Sequence, residues 1–157
     1  MSSHEHTQSG TPGIGPYGRF IAMVALSFIA MYILMYAMVN SVANVYNNLN
    51  EFYMAGLMAM PMAVIELLLM AAMYPNKRLN AILVGAAIVV GLLFWFSIRN
   101  QAAISEQQFL RSMIPHHASA LLMCRQNAFA DPDLRRLCGE IIESQQREID
   151  EMKAKLR

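Results

Sequence analysis

Three long apolar blocks come first along the chain, and a different rhythm follows them. Phe20 to Val39, Tyr53 to Met73 and Leu79 to Ile98 are each about 20 residues long, the length an α-helix needs to cross roughly 30 Å of hydrocarbon. They predict three membrane spans, 20–39, 53–73 and 79–98, within a membrane region of residues 19–98. The apolar core of the first is too long for a cleaved signal, and no small-residue cleavage site follows it, so it is expected to remain as an anchor.

From Arg99 onward, apolar residues recur at alternating steps of four and three, the spacing of one helix face. Across Phe109–Phe129 that seam holds Leu110, Ile114, His117, Leu121, Cys124 and Ala128; across Asp133–Leu156 it holds Leu134, Cys138, Ile141, Gln145, Glu148 and Met152. Ala130, Asp131 and Pro132 lie between the two, with Asp131 placed to cap the second helix and Pro132 in its first turn. Residues 99–157 are therefore expected to form a soluble helical hairpin hung from the third span. Counted outward from Asp131, Cys124 and Cys138 are each seven residues away, and His117 and Gln145 each fourteen. An antiparallel hairpin brings each pair level. About fifty residues are too few to close a core alone, so two hairpins are expected to pair into a four-helix bundle, as a homodimer or higher homo-oligomer.

Charge adds the orientation. The chain has 157 residues, 56% hydrophobic and 15% charged, with a net charge of +1; this balance gives no basic surface for nucleic acid, and the expected partner is the lipid bilayer. Residues 1–18 are polar and rich in Gly, Ser and Pro, and are expected to be disordered. Arg19 precedes the first span and Lys77 and Arg78 lie between the second and third, whereas no basic residue lies between the first and second. The positive-inside bias then places the N-terminus and the Pro75–Arg78 turn in the cytoplasm, and the C-terminal hairpin in the periplasm of an inner-membrane protein. Arg99 and Arg111 lie on the outer side and reduce that bias.

The candidate chemistry is concentrated in Phe109–Cys124, where two histidines, two methionines and a cysteine share one predicted helix. These are donor types preferred by soft or borderline metals. Met113 is one turn from both His116 and His117, so it makes a chelate with either. Neighbouring helix positions point about 100° apart, so the two histidines cannot both be central; the alternative is a core His117 bonded to Gln145, with His116 solvated at the edge. Cys124 and Cys138 read as a disulfide in an oxidising compartment, as metal ligands, or as small core residues. Pro115 removes a backbone hydrogen bond and crowds the preceding turn, so a kink or a helix start near Ser112 is expected beside them. No nucleophile–base arrangement, phosphate loop or dinucleotide fingerprint is present, and an enzyme is not expected.

MIPHH at Met113–His117, LLM at Leu121–Met123, DPDLRRL at Asp131–Leu137 and QQREIDEM at Gln145–Met152 together resemble the domain-of-unknown-function 305 family. The resemblance covers about the last fifty residues. It implies a ferritin-like helical bundle, with copper binding in the periplasm, and makes Met113, His116, His117, Met123 and Met152 candidate ligands, with Gln145 and Glu148 in supporting or structural roles. Cys124 and Cys138 stand where many relatives have alanine, implying a disulfide-stapled sub-type or a different ligand set. The three-span anchor is similar to that of membrane-bound members. A copper chaperone or exporter is an expected partner on this reading.

Two further features point to copper. Met31, Met35 and Met38, then Met54, Met58, Met62 and Met70, recur through the first two spans, with Glu66 continuing the four-residue step. Thioethers suit Cu(I), and a Met-x-x-x-Met step in a three-span chain resembles the copper-transporter family, which conducts Cu(I) through a trimer. The third span has Gly85 and Gly91 rather than that family's Gly-x-x-x-Gly pair, and steps of four drift by about 40° around a helix, so packing or lipid contact competes as an explanation. Glu66 is expected near mid-membrane, where a carboxyl needs a partner or a wet cavity. If the initiator Met is removed, Ser2-Ser3-His4 offers a square-planar Cu(II) or Ni(II) chelate with His6 as axial donor. The expected function is membrane-anchored copper binding in periplasmic metal homeostasis or resistance. The alternatives are a non-enzymatic adaptor or oligomerisation module, indifferent to loss of His116 and His117, a Cu(I) channel dependent on the methionine stripe and Glu66, and, least expected, a ferritin-like di-metal oxidase, which needs several carboxylates where the seam has only Glu148.

Overall fold

The computed structural model describes residues 15–157. The His4 chelate and nearly all of the tail expected to be disordered lie outside the described residues; Pro16 to Gly18, assigned to that tail, instead open the first helix. The helices are α1 (Pro16–Leu34), α2 (Leu49–Leu69), α3 (Lys77–Arg99), α4 (Glu106–Gln126) and α5 (Pro132–Lys155), with short 3₁₀ turns at Met35–Met38, Val42–Asn44 and Ala71–Met73. Among the described residues there is no strand, and the fold they form is all-α.

Side-chain caps account for the starts of α2 to α5, while α1 opens at Pro16 without one. Asn48, Asn76, Ser105 and Asp131 accept from the backbone N–H of Glu51, Leu79, Gln108 and Asp133 respectively, satisfying amides that have no partner within the helix. The Asn48 cap starts α2 four residues before the expected Tyr53, and Ser105 starts α4 three residues before the expected Phe109. α4 runs unbroken past Pro115, which therefore lies well inside the helix rather than near its start.

Three helices, Pro16–Met38, Leu49–Leu69 and Lys77–Arg99, are long and apolar enough to span a membrane. α2 is the middle one: 28% of its apolar window is buried by protein, against 6% for each of the others. Its inner stripe is small, with Ala55, Gly56, Ala59 and Ala63 buried ahead of Leu67. Where surrounding lipid is as apolar as the side chains, close backbone approach rather than the hydrophobic effect holds helices together, and small residues permit it. A Cβ on Gly56 would run into the Phe94 ring of α3. The tightest packing glycine is therefore on the second of these helices; on the third, Gly85 has open space beside it and Gly91 leaves room for only ordinary contact with Met60.

α4 and α5 form the expected antiparallel hairpin. Its core is Ile114, Ala118, Leu121 and Ile149, all fully buried, with Ile142, Met152 and Leu156 packed around them. The α5 seam runs through Ile142 and Ile149, one residue on from the expected Ile141 and Glu148. The hairpin is not simply hung from the third span. Val39 and Tyr46, from the α1–α2 connection, pack into the same core, so the chain itself supplies part of the apolar cover expected from a second copy. Polar contacts tie the same junction: Gln108 Oε1 accepts from Leu49 N at 3.0 Å, Asn50 Nδ2 donates to Ser112 Oγ at 3.3 Å, and Tyr53 Oη donates to the Ala102 carbonyl at 2.9 Å.

Candidate functional site

α4 divides its chemistry between two faces. Ile114, Pro115, His117, Ala118 and Leu121 are its buried residues, whereas His116 is exposed and Met113 half-buried. His117 faces α5. Its Nδ1–H donates to the Met113 carbonyl at 2.8 Å, and its Nε2 lies 2.7 Å from Glu148 Oε2. Because a carbonyl oxygen can only accept, Nδ1 carries a proton, and the Nε2···Oε2 contact holds one more proton between ring and carboxyl. Both ring nitrogens are thereby committed. The alternative core reading pairs this ring with Gln145, and the structure gives it Glu148 instead. Helical side chains lean toward their own N-terminus, so in an antiparallel pair His117 and a residue one turn beyond its level partner lean toward each other.

His116 faces the apolar helices. With Met113, Ser112, Pro115 and Ser119 it lines a cavity of about 300 Å³, whose far wall is Met35, Val39, Asn48, Asn50, Glu51 and Met54. Thioether, imidazole and carboxylate groups therefore meet at the junction between the apolar helices and the hairpin. Glu51 Oε2 is buried there without a hydrogen-bond partner.

The five candidate ligands are not gathered at one point. Met113 and His116 share the junction cavity, His117 is turned to Glu148, Met152 packs on the hairpin core, and Met123 is 47% exposed. Gln145 is half-buried on α5. No group of three His, Cys, Asp or Glu side chains is placed to hold a metal among the described residues. Cys124 and Cys138 lie level, as counting from Asp131 predicts, at disulfide distance with Cα atoms 5.3 Å apart.

In the methionine stripe, Met38, Met58, Met62 and Met70 are each well exposed on the chain's outer surface, whereas Met54, 40% exposed, borders the junction cavity. Glu66 is not central in its helix. It sits in the last turn of α2, where Tyr74 Oη donates to its Oε1 at 3.0 Å. Burial, and then the contact with Glu66, pushes the Tyr74 hydroxyl above its ordinary range, which keeps it a donor. The earlier start of α2 at the Asn48 cap brings Glu66 to that end.

The match to a family model, described as domain of unknown function (DUF305), covers residues 97–156, the hairpin and its lead-in. An uncharacterized protein of Acanthamoeba polyphaga mimivirus is 36% identical over 135 residues, covering 84% of this chain and 87% of its own length. That similarity is longer than the family segment and takes in part of the apolar helices too. The chain belongs to the DUF305 family. No solved structure matches it.

Proposed function

We propose that the protein is a membrane-anchored copper-binding protein serving metal homeostasis or resistance, with no catalytic role of its own. The observation that carries this reading is the pairing of Met113 and His116, one helical turn apart and lining one cavity; a thioether beside an imidazole suits Cu(I), and the imidazole keeps some affinity for Cu(II). His117 supports α4 from behind through Glu148. The hairpin belongs on the periplasmic side of an inner membrane: cysteines at disulfide distance favour an oxidising compartment, and Lys77 and Arg78 at the opposite turn favour the cytoplasm. Exposed Met123, Leu134 and Leu137 offer apolar surface to a second hairpin, giving a ferritin-like four-helix bundle in a homodimer. A copper chaperone or exporter is the corresponding exchange partner.

The test is metal selectivity. The full chain in detergent is dialysed anaerobically against equal concentrations of Cu(I), Zn(II), Mg(II) and Ca(II), and the retained metals are quantified by mass spectrometry. Copper near one equivalent per chain, with little Mg or Ca, is expected. Absence of copper overturns the proposal and leaves the adaptor reading.

A further inference from the structure

Met113 and His116 supply two donors, and the question is what completes the site. The opposite wall of their cavity carries two more thioethers, Met35 from the turn after α1 and Met54 from the second turn of α2. Three thioethers and one imidazole form a soft, neutral donor set of the kind that selects Cu(I) over harder divalent ions. Glu51 lines the same wall; the Tyr36 hydroxyl and the Asn48 side chain lie beside its carboxyl, yet its Oε2 is buried without a hydrogen bond of good geometry. A buried carboxyl oxygen without a partner carries a desolvation cost, which a bound cation would offset. The four donors themselves contribute no charge to balance a monovalent ion, so Glu51 is the group that does.

We infer that Met35, Met54, Met113 and His116 together form a single Cu(I) site at the junction of the apolar helices and the hairpin, with Glu51 as its counter-charge. The site exists when the hairpin is docked. The contacts that hold it there, Leu49 N–H to Gln108 and Asn50 to Ser112, flank the cavity. Copper held in this way sits at the outer ends of α1 and α2, where the methionine stripe begins. The inference rests on the copper reading above and deepens it by assigning the membrane-side ligands.

The experiment uses the full chain in detergent, loaded anaerobically with one equivalent of Cu(I). X-ray absorption at the copper edge is expected to show a shell dominated by sulfur with one lighter scatterer. In the Met35→Leu/Met54→Leu variant, which nearly conserves side-chain volume, sulfur should fall to a minority of the shell and Cu(I) affinity should drop at least tenfold. Glu51→Gln should weaken binding without changing the sulfur content. A wild-type shell with a single sulfur overturns the inference whether or not the variant folds. Loss of binding in His116→Ala with full affinity in Met35→Leu/Met54→Leu overturns it alone. Wild-type protein that takes up no copper overturns both this and the copper reading.

Discussion

His117 Nε2 lies 2.7 Å from Glu148 Oε2, and this contact joins α4 to α5 from a ring that is 90% buried to a carboxyl that is nearly half exposed. With Nδ1 bonded to the Met113 carbonyl at 2.8 Å, His117 acts as a structural fastener between the helices. His116, its chain neighbour, is left facing the junction cavity. Replacing His117 by Ala leaves the Met113 carbonyl and Glu148 without their partner and should lower stability by about 2 kcal/mol. Glu148→Gln should cost less, since the amide can still donate to a neutral ring. Denaturant unfolding followed by circular dichroism measures both; equal costs for the two variants would contradict the hydrogen-bond account.

Cys124 and Cys138, separated by 14 residues and placed at the far end of the hairpin, should stabilise it by closing a loop. Changing both to Ser should cost about 3 kcal/mol, the value expected for a loop near this length, and copper affinity should be unchanged because neither residue borders the junction cavity. Alkylation of protein trapped directly from cells should find no free thiol. Thiols that label fully without prior reduction would place the hairpin in a reducing compartment.

Tyr46 reaches the hairpin core from the α1–α2 connection, and its carbonyl accepts from Tyr36 Oη at 2.8 Å. Tyr46→Ala should loosen docking while leaving the hairpin's own helices formed. Hydrogen exchange should then rise in the first half of α4 and stay low around Ile149. Unchanged exchange at Ser112–Ala118 would show that the docking does not depend on this side chain.

Gly56 permits the close approach of α2 to Phe94 of α3. Gly56→Leu should force the two helices apart at a cost of about 1–3 kcal/mol, lowering the thermal midpoint in detergent. Gly85→Leu, where the added side chain meets open space, should be nearly neutral. A reversed order would move the packing seam to the third span.

Much of this architecture was legible in the chain because it depends on local rules. Apolar length marked three candidate spans, and Asp131–Pro132 marked the start of α5, where the cap forms as read. The level of Cys124 and Cys138 followed from counting alone, since two antiparallel helices advance at equal rates from their shared turn. Counting failed for His117 because it fixes Cα level but not side-chain lean, and Glu148 is the residue leaning toward it. The junction site was not legible. Met35 and Met54 were visible only as members of a stripe, and nothing local shows that the α1–α2 connection folds onto α4. A signal did exist in part: with three spans, that connection and the hairpin must emerge on the same side.

The central claim is that His116, facing the junction, carries the metal and His117 does not. It is tested most directly by Cu(I) affinity of the full chain, measured by anaerobic competition against a chelator for wild type, His116→Ala and His117→Ala. The account predicts at least a tenfold loss for His116→Ala and affinity within about threefold of wild type for folded His117→Ala, as expected for removing a soft-metal ligand in one case and a structural hydrogen bond in the other. Full affinity in His116→Ala, or the larger loss in folded His117→Ala, would contradict it.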